Sequence, residues 1–224
     1  MIILLEALKV LGSFGIWFLA AVVVVTVHEY AHAFTSWRLG DKLPKFNRRL
    51  TLNPVSHTDI VGILFFMATS FGWGRPVEIS PKHYKDKKKG VVLVGLSGPI
   101  ASVMLAVAAA VLVKVLSISG NLNLPIYILD YLSQFFSKIY LYSFNLAIIS
   151  LIPMFPFDGF MVWGKIISPK GQFKLFQYQN LMLTIFLVII LISKDFIDIF
   201  IAPVRNIVGG SISGIIELIS MAVK

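Results

Sequence analysis

The sequence predicts an all-α polytopic membrane protein with about four transmembrane helices. A re-entrant or hairpin segment is expected near residues 60–80, and a C-terminal apolar helix at the end. Three observations carry this reading. Of 224 residues, 57% are hydrophobic and only 14% charged, less charge than a soluble surface ordinarily carries. The charges fall in clusters, and the apolar runs between them reach bilayer-crossing length. No polar linker divides the chain, so residues 1–224 read as a single membrane-embedded domain.

The first span runs from about Leu11 to Arg38, with no charge between Leu11 and Val27. Gly40 just beyond it marks a helix end. A basic loop follows, and then residues 60–73, IVGILFFMATSFGW, which are too few to cross comfortably as a helix. A second basic loop, Arg75 to Lys89, returns to the same side, so residues 60–73 are expected to turn back, packed against protein rather than lipid. A second span covers residues 90–118, interrupted early by Ser97-Gly98-Pro99. A third covers about Ile126 to Ile152 and closes on PMFPFDG. A fourth apolar stretch occupies about Leu181 to Ile201, and the tail from Val204 is apolar with glycine and serine.

The formal net charge is +9. Fourteen of the 20 Lys and Arg lie in the three loops 38–49, 75–89 and 165–174, which share one side if residues 60–73 do not cross. Positive loops mark the cytoplasmic side of a membrane protein. The basic balance is therefore explained by topology, and no nucleic-acid partner is expected. The absence of cysteine excludes disulfides and thiolate metal sites.

The chemistry starts in the first span with HEYAH. On an α-helix, positions i and i+4 share a face, so His28 and His32 can point two imidazoles at one ion. Glu29 stands beside them as a candidate general base. Two histidines, a third ligand and an open position form the zinc-hydrolase arrangement, which yields hydroxide near neutral pH. A chance pair of helix histidines is the competing explanation. It is weakened because three ionisable residues in an apolar helix are costly, and intramembrane ionisable groups mark function by default.

The third ligand has several candidates. Glu78 lies in a basic loop, Glu217 in the tail, and His57 and Asp59 in the loop after the first helix. Asp158 sits at the cytoplasmic end of the third span, matching the depth of the histidines, about 9 Å for His32 and about 15 Å for His28 inward of Arg38. Pro153 and Pro156 can turn the chain inward there. Asp158-Gly159 could equally be a plain turn, but its side of the membrane favours a ligand.

HEYAH in the first span, together with PMFPFDG closing a later one, resembles the site-2 protease family of intramembrane zinc metalloproteases. RLTLNPVSHTD, FGWGRPVEI and SGPIAS are similar to segments of its prokaryotic branch, so the resemblance covers a catalytic core of about residues 12–165. It implies one zinc ion held by His28, His32 and Asp158, with Glu29 as general base. It also implies substrates that are transmembrane helices of other proteins, cut inside the bilayer; the spans and positive loops add the expectation of a multi-pass cell-membrane protein whose active site opens toward the cytoplasm.

Two positions depart from the family pattern. Ser150 stands where asparagine is usual eight residues before the aspartate, and Ser102 where asparagine commonly follows Gly-Pro. Serine reaches less far than asparagine and offers fewer hydrogen bonds, so substrate positioning is where these changes should tell. His57, in a loop that matches the family, is a further candidate for that role. The alternative function is an inactive homologue that keeps its metal and binds or escorts membrane helices.

Overall fold

The computed structural model describes residues 2–118, 125–164, 167–193, 199, 201–211 and 214. Among the described residues the chain forms helices and no strand. In order these are α1 (Ile2–Arg38), α2 (Leu43–Phe46), α3 (Ile60–Thr69), α4 (Lys87–Ile118), α5 (Ile126–Ile149), α6 (Asp158–Trp163), α7 (Pro169–Gln177) and α8 (Gln179–Ile192). Helical backbone resumes over 201–211.

Among the described residues two helices are long and apolar enough to cross a membrane, Val10–Arg38 within α1 and Lys87–Ser117 within α4. The expected four are thus matched by length and composition only in part. The 24 residues of α5 include Asp130 and Lys138, and the 14 residues of α8 stop at Ile192, short of a straight crossing. Lys194, Asp195 and Asp198, and the tail from residue 215, lie outside the described residues. The expected interruption at Ser97-Gly98-Pro99 is also corrected: α4 runs unbroken through Pro99. Gly40 does end α1, with φ at 106°, a conformation glycine adopts without penalty.

α1, α4 and α5 pack against one another. Small and β-branched residues fill the contact: Ala20, Ala21, Val24 and Val25 from α1, with Ala106 and Ala109 from α4. Small side chains let helix backbones approach closely where dispersion, not water exclusion, drives association. The opposite face of α4 carries exposed Val103, Met104, Val107 and Leu112. Only 17% of its most apolar window is buried within the protein, so most of that helix needs an apolar surrounding from elsewhere.

Residues 58–74 form a hairpin, with one helical arm and one extended arm. Asp59 caps α3 by accepting the Gly62 N–H at 2.8 Å, the standard use of an N-cap carboxylate. Ser70 ends α3 in the left-handed conformation, φ 59°. The chain then returns extended, and Gly74 pairs antiparallel with Thr58. The two arms touch through glycines. A Cβ on Gly62 would sit 2.1 Å from the Trp73 carbonyl, and one on Gly72 would sit 2.1 Å from the Gly62 carbonyl. Asn145, fully buried on α5, holds the tip by donating its Nδ2 to the Ser70 carbonyl at 2.9 Å. Its Oδ1 accepts from Arg205 Nη1 at 3.2 Å, and Tyr140 donates its hydroxyl to the Arg205 carbonyl at 2.5 Å. The 201–211 helix is thereby tied to the hairpin through α5.

Gly62→Val should force the arms apart, at a cost of about 1–3 kcal/mol of unfolding free energy, the usual range for overpacking. Gly210→Ala, where a Cβ meets nothing within 4 Å, should stay within about 0.5 kcal/mol of wild type. Unfolding curves in detergent micelles provide the comparison.

Candidate metal centre

The helical period of α1 places His28 above His32 with their Nε2 atoms 3.2 Å apart. Each ring is oriented from behind. His32 Nδ1 donates to the Val94 carbonyl at 2.7 Å; since a carbonyl can only accept, Nδ1 carries the proton and Nε2 of the neutral ring keeps its lone pair. His28 Nδ1 lies 2.9 Å from the Ser102 hydroxyl, an acceptor for the same tautomer. Fixing a ligand histidine through its other ring nitrogen is the usual way to aim it at a metal.

The third group arrives from the far end of α5. Pro153 and Pro156 follow the last turn, and α6 begins at Asp158. Gly159 is needed there, because a Cβ would lie 2.2 Å from the Leu151 carbonyl and 2.3 Å from that of Ile152. The turn delivers Asp158 so that Oδ2 is 3.0 Å from His28 Nε2 and Oδ1 is 3.1 Å from His32 Nε2. Of the third-ligand candidates among the described residues, Asp158 joins the histidines in a group able to hold a metal; Glu217 lies outside the described residues. Asp59 is occupied capping α3, and Glu78 accepts from Asn47 at 3.1 Å.

Two observations test this group against zinc. A tetrahedral ion with bonds of about 2.0 Å separates its ligand atoms by roughly 3.3 Å, close to the spacings here. The α4 backbone also leaves a cradle. A Cβ on Gly98 would stand 2.3 Å from His32 Nε2 and 2.7 Å from His28 Nε2, so the side facing the ring nitrogens must be glycine. The sequence reads Ser97-Gly98-Pro99 as an interruption of the span, whereas in the structure Gly98 provides steric clearance for the two rings. Two nitrogens and a carboxylate form a donor set that zinc accepts.

Glu29 is buried beside this group, and both line a cavity of about 400 Å³. Its walls are mostly apolar: Val25 of α1, Phe71 and Trp73 of the hairpin, Leu146 of α5, and Leu183 and Leu187 of α8. The extended arm supplies a continuous edge, with Gly72, Gly74, Pro76, Val77 and Ile79 all at the cavity.

The expected substrate-positioning residues divide. Ser150 lines the cavity, with its hydroxyl donated to the Ala147 carbonyl at 3.3 Å. Ser102 is buried and absent from the cavity wall, since its hydroxyl meets His28 instead. His57 is fully buried behind the hairpin, and its Nε2 donates to the Thr51 carbonyl at 2.7 Å. Burial pushes the His57 imidazole below its ordinary value. Its position makes it a support of the loop rather than a cavity group. Sequence reasoning missed Asn145 and Arg49. A lone asparagine in an apolar helix was a usable signal, because polar groups there need a partner; Arg49 was hidden among four other loop cations.

No family model and no solved structure matches the chain. Relatives at the sequence level include YwhC of Bacillus subtilis (strain 168), described as a candidate zinc metalloprotease. The chain is 31% identical to it over 168 residues, 75% of this chain and 76% of the relative. Rip2 of Mycolicibacterium smegmatis, described in the same terms, is 30% identical over 109 residues, 46% of this chain and 41% of the relative.

Ser102→Ala should lower zinc affinity about 10–100-fold, the usual effect of losing a group that orients a ligand. Asp158→Ala and Gly98→Ala should lower it further, the first by removing a donor and the second by filling the cradle. Zinc retained against a graded chelator series measures all three; unchanged retention in Asp158→Ala would show that the carboxylate is no ligand.

Proposed function

We propose that this chain, which belongs to the site-2 protease family of zinc metalloproteases, is an intramembrane endopeptidase that cuts transmembrane helices of other proteins. The observation carrying this reading is the position of the donor group. His28 and His32 lie on one of the two membrane-length apolar helices, and Asp158 reaches them from the end of α5. A hydrolytic centre so placed meets substrates that are themselves in the bilayer. The apolar cavity wall and the exposed outer face of α4 favour the same surroundings.

In this reading His28, His32 and Asp158 would hold zinc, which when bound would supply Lewis acidity toward a carbonyl oxygen and lower the pKa of water. Glu29 takes the proton of the attacking water as its oxygen bonds to the carbonyl carbon. When the carbon–nitrogen bond breaks, Glu29 passes that proton to the departing nitrogen. Phe71, Trp73, Leu183 and Leu187 keep bulk water from the substrate side chains. The extended arm, 71–79, offers backbone groups to a substrate that has unwound and lost its own helical hydrogen bonds. The extended edge is thus assigned to 71–79, since 60–69 is helical. The positive loops favour a mouth of the site that opens toward the cytoplasm.

Glu29→Gln should keep its zinc and lose about 10²–10⁴-fold in cleavage rate, the usual contribution of a general base. A single-span model substrate in proteoliposomes, scored beside zinc content, reads both quantities. Wild type that holds zinc and cuts no candidate helix would favour the helix-binding homologue instead.

A further inference from the structure

We infer that Arg49 is a positioning residue that locks the base of the hairpin onto Glu29, so that the general base and the substrate edge are set by one side chain. The inference rests on the peptidase reading above for the role of Glu29, and on geometry for the rest.

The local chain is shaped to deliver this side chain. α2 ends in a Schellman motif: Arg49 N–H donates to the Pro44 carbonyl at 2.8 Å, and Arg48 N–H to that of Lys45 at 3.1 Å. The left-handed position of that motif is usually glycine, but here it is Arg48, with φ 54°. The turn sends Arg49 inward, where it is buried while neighbouring Arg48 stays exposed. A buried guanidinium needs partners for its charge and its donors. Nη1 donates to the Ser56 carbonyl and Nη2 to the Arg75 carbonyl, so the fork joins the turn that leads into the hairpin to the extended arm that leaves it. Nη2 also stands 3.9 Å from Glu29 Oε2.

The same corner is closed from two other directions. Arg75 N–H donates to the His57 carbonyl at 2.7 Å, completing the base of the hairpin. Gly74, one residue earlier, lies so close to α1 that a Cβ would meet Glu29 Cγ at 2.9 Å. The substrate edge therefore touches the stem of Glu29 at Gly74, while Arg49 holds both the next carbonyl along that edge and the Glu29 carboxylate. Arg49 is not among the residues lining the cavity, so its action passes through Glu29 and the hairpin. Lysine cannot replace it, because a single ammonium on a flexible stem lacks the planar fork that spans two carbonyls.

The test uses the full chain in proteoliposomes with the single-span substrate, and compares wild type with Arg49→Lys and Arg49→Gln. Arg49→Lys should lower kcat about 10–100-fold, the scale of a slight misplacement of reacting groups, with KM changed less than threefold and zinc content unchanged. On a Glu29→Gln background, adding Arg49→Lys should cost single-turnover cleavage clearly less than it costs on wild type, because the share of its action that passes through Glu29 is already lost. Hydrogen exchange of a peptide covering 72–77 should quicken in both Arg49 variants, because the Arg75 amide loses its closed corner. Wild-type kcat in Arg49→Lys, additive losses on the Glu29→Gln background, or unchanged exchange at 72–77 would each overturn the inference. If wild type cuts no substrate, the peptidase reading fails, and the exchange measurement still decides whether Arg49 closes the hairpin.

Discussion

A carboxylate buried between two imidazoles is costly unless positive charge compensates it, and the surrounding fold is arranged around that requirement. Asp158 comes within 3.1 Å of both Nε2 atoms, and the rings are turned by α4 so that lone pairs converge on the same point. Stripped of a cation, this point concentrates electron-rich atoms in an apolar interior, which is unfavourable. The interhelical packing follows from it. α4 must come close enough to reach His32 with a backbone carbonyl and His28 with Ser102, yet leave space before the ring nitrogens. Glycine at 98 meets both demands, and Gly95, whose Cβ would lie 3.1 Å from Met161 Cβ, lets α6 approach from the other side.

The hairpin adds a second constraint. If the substrate is a transmembrane helix, as proposed, it must be opened before a peptide bond can be attacked, and its backbone groups need new partners. An extended arm beside the metal-binding group can supply them only if its distance from Glu29 is fixed. The glycine contacts at 62, 72 and 74 set that distance by steric closeness, whereas Arg49 and Asn145 set it by hydrogen bonds at the base and tip. Packing alone would leave the arm free to slide along α3.

The donor group was legible in the sequence because it depends on helical period and on two proline-flanked residues, both local. His28 and His32 follow from spacing alone. Asp158 needed an argument about which side of the membrane its loop occupies, and the resemblance strengthened it. The hairpin was readable as a chain reversal, since the apolar run is short and bounded by like-charged loops. Its internal form was not, because a ten-residue apolar segment gives the same pattern as helix or strand. Ser102 and His57 were placed near substrate from their motifs, but which way a side chain faces depends on helix rotation, and that is set by packing between distant segments. The number of crossings is matched only in part, with two helices of membrane-crossing length among the described residues, because composition does not separate apolar contact with protein from contact with lipid.

Asn145 reaches the tip of the hairpin while its own carbonyl oxygen is held from the far C-terminal side by Arg205. During synthesis, His28, His32 and Asp158 leave the ribosome well before residue 205. A nascent chain can thus gather its metal donors first, whereas the brace that Arg205 places behind the hairpin tip arrives later. The order of emergence therefore runs from donor group to hairpin tip, the reverse of an order in which the arm would be set before the site it borders.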